Sequence, residues 1–410
     1  MGRTIIIGGG AAGCFAGIFS ARDGETVTII EPNDRLGKKL SITGKGRCNI
    51  TNACDLDTFI KNVPRNAPFL YSAVSRFDSN DCMSFIEGLG VPLKIERGNR
   101  VFPASDKASD IVNALKKEID RLGVSVVRDR ASEIVCFGSD EGKKAVGVVT
   151  ENGYFEGEKV ILATGGLSYP ATGSTGDGYK LARRLGHTIT ELTPSLVPLE
   201  TEESCLGMDG VNVKNALFTV YDSVKNKKIF TEQGEFTFES YGLGGPLTLS
   251  ASSRMDNMSK GRYRVSVDFK PALDEKKLDL RLQREIKESG ARTALDIMRT
   301  LLPEKLVLPL LSFAGISSDR RAGEITSAER RAMLLALKDY RLNIKGFRPI
   351  KEAIITDGGI SVKEIRPSDM GSKLVKGLYF AGEIIDVSGF TGGFNLQIAY
   401  STAKAAALKK

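Results

Sequence analysis

Residues 36–54, LGKKLSITGKGRCNITNAC, concentrate cationic and thiol side chains in a short stretch that also contains glycines. The four cations are Lys38, Lys39, Lys45 and Arg47, and the two thiols are Cys48 and Cys54. Ammonium and guanidinium groups bind phosphate oxygens, whether these belong to a nucleotide or to a nucleic acid. Two neighbouring thiols can also form a redox-active disulfide. The stretch therefore has three interpretations: a phosphate clamp, a nucleic-acid patch or a redox thiol site.

The amino terminus carries the pattern of a dinucleotide site. A short β-branched run, RTIII, is followed at once by GGGAAG, which places Gly8, Gly10 and Gly13 in the spacing G-x-G-x-x-G. The first glycine permits a tight turn, the second lets a pyrophosphate approach the backbone, and the third lets a helix pack on the sheet. A second strand, TVTII, ends at Glu31, whose carboxylate can accept hydrogen bonds from an adenosine ribose. This pattern fits FAD and NAD equally well.

Two later segments favour FAD. The segment EKVILATGG (158–166) predicts a buried strand with a small-residue turn, after a hairpin marked by ENG (151–153). Near the carboxyl end, KGLYFAGE (376–383) predicts another strand, and a helix is predicted to begin near residues 392–395. The N–H groups of such a helix start suit the electron-rich pyrimidine end of a reduced flavin. A chain that returns to its first domain after so many residues also implies an inserted domain.

The composition is that of a folded, enzyme-sized protein. A chain of 410 residues, with 26% charged and 41% hydrophobic residues, predicts two or more domains and a large core. The net charge of +8 is scattered along the chain, so nucleic acid is allowed but disfavoured as a partner. The six cysteines form no CxxC pair and no Cys/His metal spacing, so no metal is predicted and a reducing cytoplasm fits best. No signal peptide and no apolar stretch near eighteen residues occur, so no membrane partner is expected.

The predicted fold class is α/β. We expect a discontinuous, Rossmann-like FAD-binding domain over 1–190 and 346–410. Between these parts we expect a substrate or cap domain, β-rich and barrel-like over 191–271 and helical over 272–345. Within it, FESYGLGGP (238–246) is either a glycine-rich roof over a ligand or only a turn ahead of a helix.

Four segments together resemble the BaiN/YhiN-like (HI-type) family of FAD-dependent NAD(P)H oxidoreductases. They are GKGRCNITN (44–52), ATGGLSYPATGSTGDGY (163–179), GLGGP (242–246) and AGEIIDVSGFTGGFNLQIAYS (381–401). The resemblance covers the whole chain and implies noncovalent FAD, with NADH or NADPH as a transient electron donor. It also implies a cofactor shell, which comprises Gly8, Gly10, Ala11, Ala12, Gly13, Glu31, Lys38, Lys39, Gly44, Gly46, Arg47, Cys48, Asn49, Ala131, Thr164, Gly165, Gly382, Glu383, Gly392, Gly393, Phe394, Asn395 and Leu396.

The predicted cofactor shell bears on the three interpretations of residues 36–54. The cations follow the predicted ribose and pyrophosphate contacts closely, so a phosphate clamp is favoured over a nucleic-acid patch, which would usually continue with interleaved aromatic residues. Flavin disulfide reductases are expected to hold a C-x4-C pair, whereas five residues separate Cys48 from Cys54. We therefore expect no redox disulfide and treat Cys48 as a packed residue or as part of the wall beside the flavin.

Tyr169 and Tyr241 are the candidate proton donors, although a buried tyrosine more often only satisfies a hydrogen bond. His187, the one histidine of the sequence, is expected to cap a helix or to lie on the surface. The leading prediction is an FAD-dependent NAD(P)H oxidoreductase that reduces an unsaturated or carbonyl-conjugated organic substrate, with steroid-like and bile-acid-like molecules in that class. The alternatives are an RNA-binding flavoprotein of the tRNA-modification type and an FAD-binding module without turnover. The oligomeric state is left open.

Overall fold

The computed structural model describes residues 2–138, 142–288 and 292–408. The chain divides into two compact units. Unit 1 comprises Met1–Ser195 and Ile350–Lys410, and unit 2 comprises Leu196–Pro349. Unit 1 is therefore discontinuous in sequence, and unit 2 is inserted in it.

The described strands and α-helices occur partly in alternation and partly in runs, such as β6 to β10 and α8 to α11. The strands are β1 (Arg3–Ile7), β2 (Thr26–Ile30), β3 (Thr51–Asn52), β4 (Leu93–Glu96), β5 (Arg100–Pro103), β6 (Ser125–Val127), β7 (Ala131–Phe137), β8 (Lys144–Thr150), β9 (Tyr154–Glu156), β10 (Lys159–Leu162), β11 (Thr193–Ser195), β12 (Leu199–Thr201), β13 (Asn212–Asp222), β14 (Lys227–Glu239), β15 (Gly242–Gly244), β16 (Tyr263–Asp268), β17 (Tyr340–Phe347), β18 (Ile355–Asp357) and β19 (Leu378–Phe380). The helices are α1 (Ala11–Arg22), α2 (Leu56–Lys61), α3 (Ala67–Arg76), α4 (Ser79–Gly88), α5 (Ala108–Arg121), α6 (Asp177–Arg184), α7 (Gly245–Ser252), α8 (Glu275–Glu288), α9 (Ala294–Arg299), α10 (Glu304–Ala314), α11 (Ser327–Lys338) and α12 (Phe394–Ala407).

Unit 1 is built on a five-stranded parallel sheet in the order β19-β10-β1-β2-β6. All four residues of β10 are buried, as expected for a parallel strand that is covered on both faces. Helix α1 follows β1 and packs against α12, where the rings of Phe15 and Tyr400 stack with their centroids 4.0 Å apart. The prediction of a Rossmann-like α/β domain is confirmed.

Smaller antiparallel sheets complete unit 1. Strands β3, β5 and β4 form one sheet, β7, β8 and β9 form a second, and β11 pairs with β18. Strands β8 and β9 are joined by residues 151–153, so the predicted hairpin at ENG is confirmed.

Unit 2 contains a closed antiparallel barrel in the order β12-β15-β14-β13-β16-β17. Its interior is aromatic: the rings of Phe218 and Phe236 lie 5.4 Å apart, and those of Phe236 and Phe238 lie 5.0 Å apart. The buried residues of α8 to α11 belong to the same apolar core as the barrel. The prediction of an inserted domain with a barrel-like part and a helical part is confirmed.

The structure shows two elements in the insert that the sequence pattern did not predict. Helix α7 lies within the range expected to be β-rich, and most of β17 lies within the range expected to be helical. Within the described parts of both units, no helix combines the length and the apolar character needed to cross a lipid bilayer.

Candidate functional site

The glycine loop after β1 leaves one position open for a ligand. Gly8 has φ +103°, and a Cβ there would lie 2.6 Å from the carbonyl oxygen of Ala163. A Cβ at Gly13 would overlap the carbonyl oxygen of Gly8, so α1 packs directly on the loop. Gly10, the N-cap residue of α1, has no atom within 4 Å of its Cβ direction. The free N–H groups at this helix start therefore face a space that a pyrophosphate can enter.

Glu31 follows β2 and its carboxylate is almost fully buried, with 8% of the residue exposed. One carboxylate oxygen accepts a 2.7 Å hydrogen bond from the N–H of Gly9. The other accepts hydrogen bonds from the backbone N–H of Asn33 at 2.8 Å and from its side-chain amide at 2.6 Å. Glu31 thus holds the glycine loop in place. Its contact with a ribose stays a prediction.

A partly buried network joins four distant segments. The ammonium of Lys39 donates to the hydroxyl of Ser168 at 2.7 Å and to the carboxylate of Glu383 at 2.8 Å. Ser168 in turn donates to Glu383 at 2.9 Å, and the backbone N–H of Thr356 donates to the same carboxylate oxygen at 2.8 Å. Ser168 is fully buried. The network therefore fixes the segments that follow β10 and β19 relative to residues 36–54.

The loop after β10 contains an unsatisfied polar group. The hydroxyl of Thr164 is buried and has no hydrogen-bond partner among the described residues. A Cβ at Gly178, in the first turn of α6, would overlap that hydroxyl oxygen. Gly165 has φ +72°, so the backbone here adopts a conformation that favours glycine. The Thr164 hydroxyl therefore lies buried against the first turn of α6 without a hydrogen-bond partner among the described residues.

The segment around Gly382 packs on the start of α1. Gly382 has φ +79°, and a Cβ there would lie 2.9 Å from the Cβ of Ala12. Ala11 is the first residue of α1 and its neighbour Ala12 is buried. The turn that carries Glu383 therefore lies directly against the helix whose start faces the glycine loop.

The remaining cations of residues 36–54 have different surroundings. The ammonium of Lys38 lies 3.3 Å from the side-chain oxygen of Asn33. Arg47 pairs with the carboxylates of Glu96 and Asp106, and these hydrogen bonds raise the pKa of its guanidinium. Lys38 and Lys39 thus lie beside the site, whereas the charge of Arg47 is engaged by two carboxylates. The phosphate clamp stays a prediction.

The cysteines of this stretch are free thiols. Cys48 is fully buried, and burial raises its pKa to about 12. Burial also raises the pKa of Cys54 to about 11. Both thiols are therefore protonated near neutral pH, and a protonated thiol is a poor nucleophile. Next to Cys48, the side-chain oxygen of Asn49 is buried without a hydrogen-bond partner in the described residues.

Glycines of this stretch shape its backbone. Leu40–Gly46 forms 3-10 turns interrupted by a kink, in which Gly44 has φ +57°. A Cβ at Gly44 would lie 3.1 Å from the backbone nitrogen of Asn49. Gly46 has φ +82° but open space around it.

The start of α12 is tied to β3. The hydroxyl of Thr51 donates to the side-chain oxygen of Gln397 at 2.7 Å, and the amide of Asn52 donates to the carbonyl of Gly392 at 3.0 Å. Gly393 has φ +104°, and a Cβ there would overlap the backbone of Thr51. Gly393 is therefore required for close packing on β3, whatever further role the helix start has.

Residues 394–396 form the first turn of α12. Phe394 is buried and its ring centroid lies 5.6 Å from that of Phe59. The side chain of Asn395 both accepts from the N–H of Gly389 at 2.8 Å and donates to its carbonyl at 2.7 Å. Leu396 is partly buried against the core of unit 1. Asn395 therefore holds the loop before the helix, and the first-turn N–H groups have no acceptor within the helix itself.

The carboxyl ends of neighbouring strands bring most of these residues together. Glu31 follows β2, the glycine loop follows β1, Thr164 to Ser168 follow β10, and Glu383 follows β19. Open α/β sheets bind their ligands at this edge. Ala131, by contrast, begins β7 and pairs with Thr150 in a separate antiparallel sheet.

Comparison with known proteins identifies the family. The family model described as the HI0933-like protein Rossmann domain matches residues 2–409. The chain belongs to this family. The predicted family resemblance is confirmed.

This family member is similar to curated proteins over nearly its whole length. It is 30% identical over 411 residues to the 3-dehydro-bile acid delta(4,6)-reductase of Clostridium scindens, and the alignment covers 98% of this chain and 97% of the relative. It is also 30% identical over 416 residues to the ribosomal RNA dihydrouridine synthase of Haemophilus influenzae, and the alignment covers 99% of this chain and 98% of the relative. The crystal structure of 3-ketosteroid delta1-dehydrogenase from Sterolibacterium denitrificans aligns with a TM-score of 0.55 and 13% identity over 99% of both chains. This last likeness shows the fold.

The two candidate tyrosines of this family member lie in different units. Tyr169 is 36% exposed, with φ +53°, just before a short 3-10 turn in unit 1. Tyr241 lies between β14 and β15 of the barrel, where the guanidinium carbon of Arg348 is 4.4 Å from its ring centroid. The FESYGLGGP segment is thus part of the barrel wall and then begins α7. A catalytic role for either tyrosine stays a prediction.

The expected surface position of His187 is wrong, although its backbone N–H does cap α6 by donating to the carbonyl of Ala182 at 3.1 Å. Its side chain is buried, with one ring nitrogen 3.2 Å from the carboxylate of Glu364 and the other 2.9 Å from the hydroxyl of Ser372. The ring also packs edge-on against Phe380, with centroids 4.9 Å apart. Burial lowers the pKa of His187. His187 does follow the end of α6, as expected. The chain beyond it enters the core beside β19, and no local sequence pattern predicts this burial.

The sequence pattern missed three residues that hold the site together. Ser168, Thr356 and Asn33 each contribute hydrogen bonds to Glu31 or Glu383. Ser168 lies inside the motif at 163–179, two residues after Gly166, so its place in that motif was a signal that could have identified it. Thr356 lies in a short strand far along the chain, and only the fold brings it to Glu383. No cluster of His, Cys, Asp and Glu suited to a metal ion occurs among the described residues of this family member.

Proposed function

We propose that this chain is an FAD-dependent reductase that accepts hydride from NADH or NADPH and delivers it to a carbon–carbon double bond conjugated to a carbonyl group. The coarse class is a flavin-dependent oxidoreductase with a Rossmann domain. One observation carries the proposal. The open glycine loop and the Lys39–Ser168–Glu383 network lie at the same edge of the sheet, beyond the carboxyl ends of β2, β1, β10 and β19.

The residues at this edge fit FAD. Gly10 leaves room for a pyrophosphate, and the start of α1 supplies N–H donors for it. The buried, unpartnered oxygens of Asn49 and Thr164 are polar groups that need a partner, because a buried polar atom without one costs about 1–3 kcal/mol. A cofactor rich in hydroxyl and amide groups supplies such partners.

Each group has a distinct task in the proposed reaction. The chemistry that FAD supplies when bound is two-electron hydride transfer. Glu31 holds the adenosine end, while Lys39 and Glu383 neutralise each other's charge and keep the loops after β10 and β19 in one arrangement. The first-turn N–H groups of α12 are preorganised donors that stabilise negative charge nearby. The proton donor is Tyr169 or Tyr241, the two hydroxyls in the motif segments.

The substrate class comes from the names of the two curated relatives. A 3-dehydro-bile acid delta(4,6)-reductase, by its name, acts on double bonds in a molecule that carries a ketone. A dihydrouridine synthase, by its name, produces the ring in which the uracil double bond is saturated. Both reactions add two hydrogens to a double bond conjugated to a carbonyl. We therefore propose this chemistry for the chain, with a steroid-like or bile-acid-like small molecule as the first substrate to test.

A second candidate is reduction of uridine in RNA. The name of the Haemophilus influenzae relative and the net charge of +8 favour it. Binding that relies on phosphate contacts weakens steeply with salt, whereas binding of an uncharged enone does not. The salt dependence of the reaction therefore separates the two candidates.

The experiment is an anaerobic turnover assay with purified, FAD-loaded protein. NADH or NADPH is supplied together with either a 3-oxo-4,6-diene steroid or a uridine-containing ribosomal RNA fragment. The proposal expects mass spectrometry to find the steroid product heavier by two hydrogens, with a rate insensitive to moderate salt. Reduction of the RNA alone would overturn the small-molecule assignment in favour of the second candidate. Turnover of neither acceptor would contradict both.

A further inference from the structure

Unit 2 contains a cavity of about 430 Å³ whose lining residues all lie within Leu196–Pro349, and none of them is among the candidate residues of the proposed reductase site. The cavity is formed by the start of β13, the residues that follow β16, helix α8 and the connection between α9 and α10. Pockets for small organic ligands usually measure roughly 300–1,000 Å³. The cavity is therefore large enough for such a ligand.

The charged residues that line this cavity are all cationic. Lys214, Lys270 and Arg281 contribute to the wall, and none of the lining residues is an aspartate or glutamate. Asp268, close to Lys270 in sequence, is engaged by the ammonium of Lys338 at 2.5 Å and by the backbone N–H of Lys270 at 2.8 Å. The cavity thus collects positive charge that its own wall does not neutralise.

Arg281 has an unused donor. Its Nε–H is buried and has no hydrogen-bond acceptor among the described residues. A carboxylate oxygen of Glu285 lies 3.8 Å from that nitrogen, which is beyond hydrogen-bond distance. Burial, together with the charge of Arg281, lowers the pKa of Lys270. An anion placed between the two cations would relieve their repulsion and supply the missing acceptor.

Apart from Asn212 and Asn215, the rest of the wall is apolar. Phe269, Leu301 and Leu302 are each less than 9% exposed and border the cavity. The residues after β16 are held by Lys338, whose ammonium donates to the carbonyl of Lys270 at 3.1 Å and to that of Leu273 at 2.7 Å. A preformed cavity with a charged part and an apolar part suits a ligand with the same two parts.

We propose that this cavity binds an amphipathic organic anion, with its phosphate or carboxylate head at Lys270 and Arg281 and its hydrocarbon part against Leu301 and Leu302. The hydrocarbon part contributes through burial of apolar surface, and the head contributes through charge-assisted hydrogen bonds.

The test is calorimetric titration of the FAD-loaded full chain with octyl phosphate below its micelle concentration. Octanoate tests the carboxylate head, inorganic phosphate tests the head alone, and octanol tests the tail alone. The binding variant is the double substitution Lys270→Met and Arg281→Met, which keeps most of the side-chain packing and removes the charge. The matched control is Arg284→Gln, an exposed cation on the same helix that does not line the cavity.

The proposal expects saturable binding of octyl phosphate or octanoate, weakened about tenfold or more by the double substitution and unchanged by Arg284→Gln. It also expects inorganic phosphate and octanol to bind much more weakly. Absence of saturable binding, equal binding by the double variant, or inorganic phosphate binding as tightly as octyl phosphate would overturn it. Circular dichroism of each variant establishes that the fold is intact, and Lys270→Met alone serves if the double variant does not fold.

Discussion

At the scale of single residues, Glu31 connects the glycine loop to the predicted adenosine site. Its carboxylate accepts hydrogen bonds from Gly9 and Asn33, and it lies at the end of β2, where a ribose would be bound. We expect Glu31→Ala to weaken FAD binding by about 1–3 kcal/mol, because a buried charged hydrogen-bond partner is lost. Fluorescence titration of the apoprotein with FAD measures this.

Asn33→Ala is the matched control for Glu31. It removes the side-chain hydrogen bond from Asn33 at 2.6 Å but keeps the carboxylate available to a ribose. We expect it to cost less FAD affinity than Glu31→Ala. Unchanged affinity in Glu31→Ala would contradict any role for the carboxylate, and equal losses in the two variants would assign the effect to the loop instead of the ribose.

His187 makes stability depend on pH. Burial lowers its pKa in the folded state, so the neutral ring is favoured there, whereas the unfolded chain takes up the proton near the ordinary pKa of about 6.5. The unfolded state therefore binds more protons as the pH falls. The stabilisation is fully present above about pH 6.5 and is lost as the pH falls toward the lower folded pKa. Because the sequence has one histidine, no other imidazole contributes.

We expect the free energy of unfolding to fall between about pH 7.5 and about pH 5.5, and His187→Gln to reduce that fall. Urea denaturation at the two pH values measures the difference. Glutamine keeps a polar side chain near Glu364 and Ser372, so it limits the damage to the core. An identical pH dependence in wild type and variant would contradict the assignment.

Residues of the site were predictable from the sequence where the local backbone or the end of a strand determines the residue type. Gly8 and Gly13 accept no side chain, and Glu31 ends a strand, so spacing alone indicates their positions. The partners of Glu383 were not predictable, because Lys39, Ser168 and Thr356 come from three separate parts of the chain. Their meeting depends on strand order in the sheet, which no local pattern contains.

At the scale of elements, the contact between β3 and the start of α12 depends on one glycine. Gly393 has φ +104°, and a Cβ would overlap the backbone of Thr51. Gly90 is a matched control in the same unit, with φ +86° and open space around it. We expect Gly90→Ala to cost about 1–2 kcal/mol of unfolding free energy from the left-handed backbone alone.

We expect Gly393→Ala to cost more, about 3 kcal/mol or above, because overpacking adds about 1–3 kcal/mol to the backbone cost. Chemical denaturation of both variants and wild type measures the difference. Equal losses at Gly393 and Gly90 would show that β3 does not constrain the helix start.

The same scale explains which elements the sequence pattern predicted. Strand β10 is a continuous apolar run and α1 follows directly on the glycine motif, and both elements were predicted correctly. The predicted helical segment extends into β17, because α11 stops at Lys338 and the strand starts at Tyr340. Its alternating burial follows the alternation of apolar and polar residues from Tyr340 to Lys345, and the strand pairs with β12 and β16. Closure of a barrel depends on such pairings between distant residues.

At the scale of the whole molecule, the fold separates two kinds of chemistry. Unit 1 collects its candidate residues at one edge of a parallel sheet, and unit 2 supplies a barrel with a cation-lined cavity of its own. The insertion of unit 2 was predictable, because the pattern of unit 1 resumes near the carboxyl end. The cavity was not predictable, because its lining residues come from four separate segments.

The central claim is that flavin held at the edge of the parallel sheet passes hydride to a conjugated double bond. The most direct test is a single-turnover experiment without oxygen, in which the FAD-loaded protein is first titrated with NADH or NADPH and then mixed with a 3-oxo-4,6-diene steroid. We predict that the absorbance of oxidised flavin is lost on titration and returns on mixing, with one reduced steroid formed for each flavin. A flavin that neither nucleotide bleaches, or that stays reduced in the presence of the steroid, would contradict the account.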